Sequence, residues 1–150
     1  YLRVVESQWE FFFGLLDRAR QAEGARRKLE ALTAAMFKTF EQRRGFFRLF
    51  LSERGRLTAA FSDQIAERVG AHTRRLREQL VDLMRQGIDE GTLRGGDPGM
   101  LASAYLGMVH SCIFEALSSG AEKPNRTPAE VLALFLDGAA GGGSGHGGRA

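Results

Sequence analysis

The stretch Gly87-Ile-Asp-Glu-Gly-Thr-Leu-Arg-Gly-Gly-Asp-Pro-Gly-Met-Leu-Ala-Ser-Ala-Tyr-Leu-Gly-Met-Val-His-Ser-Cys-Ile-Phe-Glu-Ala-Leu117 decides the fold. It reads as one helix closing in a glycine-rich turn and a second helix opening directly after it. Asp97 has the short carboxylate that accepts a backbone N–H at an N-cap, and Pro98 suits the first helical position, where no donor is needed. Gly91, Gly95 and Gly96 before them supply the chain reversal.

Projected at about 100° per residue, the helix after Pro98 gathers Leu101, Ala102, Tyr105, Leu106, Val109, Cys112, Ile113, Ala116 and Leu117 into one broad arc. The opposite side is small rather than charged: Ser103, Gly107, Ser111 and Ser118, flanked by His110 and Phe114. Small side chains let another backbone come close. A helix that is apolar on one side and small on the other is expected to be covered on both, and in a chain this short the second cover is expected to be another copy of the protein.

Working outward, Ser7-Gln8-Trp9-Glu10 has the pattern of a capping box and predicts a helix from about Gln8, fading between Ala22 and Gly24. The residues before Ser7 read as the end of something that precedes them. A second helix is expected over Ala25 to Gln42, with Leu29, Leu32, Ala35, Met36 and Phe40 at helical spacing. Phe46 to Glu53 is short and almost wholly apolar. With helical neighbours and no pairing strand, it is read as a short helix. A long pattern then runs from beyond Gly55 to about Glu90 through Phe61, Ile65, Val69, His72, Leu76, Leu80, Leu83 and Gly87, with Gly70 a possible break. Thr127-Pro128-Ala129-Glu130 is another capping box with proline at N1, and it starts a last helix through Val131, Leu132, Leu134, Phe135 and Leu136. The prediction is an all-α bundle of about six helices, one domain over residues 1–140, with a flexible glycine-rich tail over 141–150.

Composition narrows the function. The chain has 150 residues, 43% hydrophobic and 26% charged, enough for one domain with a sizeable core. It contains no uninterrupted apolar run of about eighteen residues and no signal-peptide pattern, so neither a membrane span nor secretion is expected. A single cysteine, Cys112, excludes an internal disulfide and fits a cytoplasmic setting. The net charge of +3 is spread over helix faces, with Arg26-Arg27-Lys28, Arg43-Arg44 and Arg74-Arg75-Arg77 the densest clusters; they read as solvated faces rather than a phosphate-binding patch. Eleven phenylalanines against two tyrosines and one tryptophan leave an interior that is either very apolar or lines an apolar hole.

Catalytic patterns are missing. No glycine-rich phosphate loop joins a strand to a helix, and His110 and Cys112 project about 200° apart on a helix, so they cannot act as a pair. The histidines His72, His110 and His146 have no metal-ligand spacing. No enzyme, cofactor or metal is expected. His72 stands out because it sits on the apolar stripe between Val69 and Leu76. It is either a buried histidine satisfied by a carbonyl or hydroxyl, or a polar contact inside an apolar ligand cavity. Tyr105 and Glu115 admit the same alternatives.

Three pieces of the chain carry a resemblance to a known family. Tyr1-Leu2 … Glu6-Ser7-Gln8-Trp9-Glu10 … Leu15-Leu16-Asp17 is similar to the join after a recognition helix in TetR-family transcriptional regulators, with Gln8 and Trp9 in place of the usual Lys and Glu. Gly87 … Gly91-Thr92-Leu93-Arg94 … Asp97-Pro98 … Leu101-Ala102 resembles that family's pattern before the penultimate helix, and Thr127-Pro128-Ala129-Glu130 fits its last helix. The resemblance implies the C-terminal regulatory domain of a repressor, its last two helices pairing with those of a second copy as a four-helix bundle. The interface implied comprises Ser103, Gly107, His110, Ser111, Phe114, Leu132, Phe135 and Leu136. It also implies a pocket for a small apolar or aromatic effector. Candidate lining residues are Phe37, Phe40, Phe47, Phe50, Phe61, Ile65, His72 and Leu76 on the middle helices, and Tyr105, Met108 and Cys112 on the penultimate one. The DNA-binding helix-turn-helix would precede Tyr1, so this chain by itself is not expected to bind DNA specifically. A structural dimerisation module with a filled core is the alternative. Arginine at Gly107 or Ile113 is expected to split the dimer.

Overall fold

The computed structural model describes residues 2–45 and 63–138, and these form five helices with no strand among them: α1 (Leu2–Ala19), α2 (Gly24–Gln42), α3 (Asp63–Asp89), α4 (Pro98–Ser118) and α5 (Pro128–Asp137). The short helix expected over Phe46–Glu53 and the glycine-rich tail fall outside the described residues.

α2 is the centre, touching each of the other four helices. Its apolar positions recur every three or four residues, at Ala25, Leu29, Leu32, Met36, Phe37 and Phe40, and all are buried. Trp9, Phe13 and Leu16 of α1 and Leu76, Leu80, Leu83 and Met84 of α3 close on it from two sides. Tyr105, Val109, Ile113 and Ala116 of α4, with Val131 and Leu132 of α5, complete the same continuous core.

The helix ends show what local chemistry can and cannot enforce. Asp97 accepts the Gly99 N–H at 2.9 Å, and Thr127 with Glu130 forms both halves of a capping box, as their sequences require. The Ser7 box does not form: α1 begins at Leu2 and passes straight through Ser7, so the hydroxyl has no helix end to cap. Gly70 does not interrupt α3 either. One glycine costs a helix about 1 kcal/mol, too little to break a helix of 27 residues.

The turn between α3 and α4 is built around Gly87. Leu93 folds back so that its N–H bonds the Gly87 carbonyl at 3.0 Å and its buried side chain covers the glycine. A Cβ at Gly87 would stand 2.6 Å from Leu93 Cδ1 and 2.9 Å from Cγ, so no larger residue fits without displacing Leu93. α2 is capped from a distance. Glu23 makes no side-chain cap, and the carboxylate of Glu90 accepts the Ala25 N–H at 2.7 Å instead. That bond, then the Gln86 amide and the charge of Lys28, hold Glu90 below the usual carboxylate range despite some opposing desolvation.

Candidate functional site

The outer face of α4 is the most unusual surface of the described chain. Ala102, Tyr105, Val109, Ile113 and Ala116 point inward, which leaves Ser103, Ala104, Gly107, His110, Ser111 and Phe114 on the far side. Met100 is 73% exposed and Phe114 57%, and Leu134 on α5 is 50% exposed. A Cβ at Gly107 would meet nothing within 4 Å, so the middle of this face is open. By length and composition alone α4 could cross a membrane, and only 28% of its most apolar window is buried in the chain. Its inward residues nevertheless belong to the common core.

Of the residues expected at an interface, Ser103, Gly107, His110, Ser111 and Phe114 lie on this exposed face. Ser103 is also tied to α3 by Arg77, which donates to its hydroxyl at 2.8 Å and to the Gly99 carbonyl at 3.3 Å. Leu132 is placed differently: it is 4% exposed within its own protomer and has little left to offer a partner. Phe135 and Leu136 are half-buried, Phe135 edge-on to the Tyr105 ring at 5.5 Å. Leu134 and Met100, which are not among the residues expected at an interface, face out together with Phe114. Ile113 is 2% exposed, so arginine there would break the protomer's core rather than divide a dimer.

The residues expected to line a pocket fall into two groups. Phe37, Phe40, Leu76 and Tyr105 are buried in one cluster, with Met108 and Cys112 half-buried against it. Tyr105 is sealed at the centre. Thr33 Oγ1 donates to the Leu29 carbonyl at 2.6 Å, which leaves the phenol to donate to Thr33 Oγ1 at 2.7 Å. Burial pushes the Tyr105 phenol well above its ordinary range, only partly offset by Thr33, so it stays neutral. Burial and the charge of Glu115 likewise raise the Cys112 thiol, and Glu115 itself is exposed. Phe47, Phe50 and Phe61 lie outside the described residues, as does the side chain of Ile65.

His72 belongs instead to the seam between α1 and α3. Its ring stacks on Trp9 at 5.2 Å, and its Nε2 meets Glu6 Oε2 at 3.1 Å, so its partner is a carboxylate rather than a carbonyl or hydroxyl. Arg68 lies 3.8 Å from the other Glu6 oxygen, and the Arg75 guanidinium covers Phe13 at 4.0 Å. Across the seam with α2, Arg43 donates to Gln8 at 2.6 Å and lies 3.8 Å over the Phe11 ring. The first three turns of α1 are thus gripped by polar and aromatic contacts from two helices. The partners lie 35 and 66 residues away in sequence, a separation that helical periodicity does not register.

Among the described residues, no group of three or more His, Cys, Asp or Glu could hold a metal ion. The family model described as tetracyclin repressor-like, C-terminal domain, matches residues 22–138, which takes in α2 to α5 and leaves α1 outside the match. No curated protein and no solved structure matches the chain. Domains of this family are regulatory, typically non-enzymatic, and serve ligand binding and dimerisation. With the match spanning most of its length, this all-helical chain belongs to the tetracyclin repressor-like C-terminal domain family.

Proposed function

We propose that the chain is the effector-responsive domain of a cytoplasmic TetR-like repressor, which pairs with a second copy through α4 and α5 and takes up a small apolar or aromatic compound among its middle helices. The exposed, small-residue face running from Met100 through Gly107 to Phe114 carries this reading, with Leu134 beside it. Exposed apolar patches of this kind mark interaction surfaces, and a twofold pairing would present the same stripe to itself.

The effector would act through α1. An aromatic compound entering near Phe40 and Leu76 would press on His72, one turn before Leu76 on α3, and displacing His72 removes one of the two contacts on Glu6, the other being Arg68. DNA-reading heads carried before Tyr1 would then change their spacing. Coupling of this kind requires that the compound bind the released arrangement more tightly than the gripped one.

Trp9 is the chain's one tryptophan and stands on the seam, so its fluorescence reports the event directly. A panel of aromatic and aliphatic compounds is expected to contain members that change the Trp9 emission and raise the melting temperature together, stabilising by about 2.7 kcal/mol at a hundredfold excess over Kd. The burial of Phe37, Phe40 and Tyr105 favours a second reading, a dimerisation module with a closed core. That reading predicts no change in emission or melting with any compound.

A further inference from the structure

At the far end of α1 from Glu6, a cleft of about 90 Å³ opens between α1, α2 and α3. It lies about two helical turns from the Trp9–His72 seam, since Leu16 follows Trp9 by seven residues and Gln79 follows His72 by seven. Its floor is apolar, formed by Leu16, Leu32 and Leu80, and its rim is polar, with Arg20, Lys28 and Gln79. Asp82 also lines it, but that carboxylate is engaged by Arg85 at 3.3 Å.

The rim has unused binding capacity. Arg20 makes no ion pair among the described residues. Lys28 donates to Gln86 at 2.9 Å, and an ammonium has two further N–H groups. Glu90, whose carboxylate is close enough to feel Lys28, is already occupied by the Ala25 N–H and the Gln86 amide. Gln79 Oε1 is buried and has no hydrogen-bond partner. A half-turn of that amide exchanges its oxygen for an NH₂, so the same buried end can donate.

We propose that this cleft binds a short aliphatic carboxylate. The anion would lie between Lys28, Arg20 and the turned Gln79 amide, and the alkyl group on the leucines. The volume sets the size: about 90 Å³ falls short of the roughly 150 Å³ cavity that holds benzene. With the carboxylate held at the open rim, the three-carbon alkyl group of a branched four-carbon acid fits below it, and the six-carbon ring of an aromatic acid does not. The site is separate from the effector region near Phe40, so it stands or falls independently of the repressor reading.

Isobutyrate is the probe, titrated into the full chain at constant ionic strength and followed by heteronuclear NMR, with isobutyramide and sulfate as controls. Saturable shifts confined to the ends of α1 and α3 and the start of α2 are expected, at least tenfold weaker for the uncharged amide. Lys28→Met is expected to weaken isobutyrate about tenfold, and Ala19→Leu, which fills the cleft, to abolish binding while leaving the helical circular dichroism intact. If Ala19→Leu fails to fold, Lys28→Met and Gln79→Leu still decide the matter. Absence of saturation, equal binding of the amide or of sulfate, or binding unchanged in Lys28→Met would each overturn the proposal.

Discussion

Replacing Tyr105 with phenylalanine removes one oxygen from the centre of the bundle and leaves the ring against Phe135. The Thr33 proton is committed to Leu29, so the variant leaves a buried acceptor lone pair on Thr33 that keeps its other bond; the cost is about 1 kcal/mol. Thr33→Val is harsher. It strands the phenol proton, whose next acceptor is the Met36 sulfur at 4.0 Å, and costs about 2 kcal/mol. With both changes no polar atom of the pair remains, so the double variant loses less than the sum of the singles, by about 1 kcal/mol. Urea unfolding at fixed protein concentration, read by helical circular dichroism and Trp9 emission, measures all four corners of the cycle; concentration must be held because pairing adds to stability. Additive single effects, or a Thr33→Val variant as stable as the parent, would refute the sealed-centre assignment.

Gly87→Ala sets a helix-propensity gain of about 1 kcal/mol against an overpacking cost of about 1–3 kcal/mol, because the new methyl would stand 2.6 Å from the buried Leu93. A net loss of about 1 kcal/mol in chemical denaturation is expected, and a stabilised variant would show that Leu93 yields freely. Glu90 has a lower pKa folded than unfolded, so its stabilising contribution is whole above the unfolded glutamate range and is lost as pH falls through the folded value. The stability gap between the parent and Glu90→Ala is therefore expected to be constant near neutrality and to shrink in acid, and a gap that widens in acid would contradict the remote cap.

Much of this was legible in the sequence wherever a short-range rule decided the outcome. The 100° projection of α4 placed Ala102, Tyr105, Val109 and Ile113 inside and Ser103, Gly107 and Ser111 outside, because a long helix samples its own periodicity many times. The Asp97 and Thr127 caps followed from local hydrogen-bonding chemistry. The same rule failed at Ser7, where the residues before it are helical too and the cap has no end to satisfy. α5 has only ten residues, nearly all apolar, so Leu132 and Leu134 could not be told apart until α2 selected the inward one. Contacts between distant segments left no trace in spacing: Glu90 capping α2, Glu6 on His72, and the cleft beside Gln79 all depend on how helices meet.

Sedimentation equilibrium at micromolar concentration tests the central claim most directly, comparing the parent chain with Gly107→Arg. The open space around Gly107 lets the arginine fold in an isolated protomer while charging the middle of the α4 face. The account predicts a parent of twice the 16.5 kDa chain mass and a Gly107→Arg variant of unchanged helicity at the single-chain mass. A parent that sediments as a single chain, or a Gly107→Arg variant that still pairs, would contradict it.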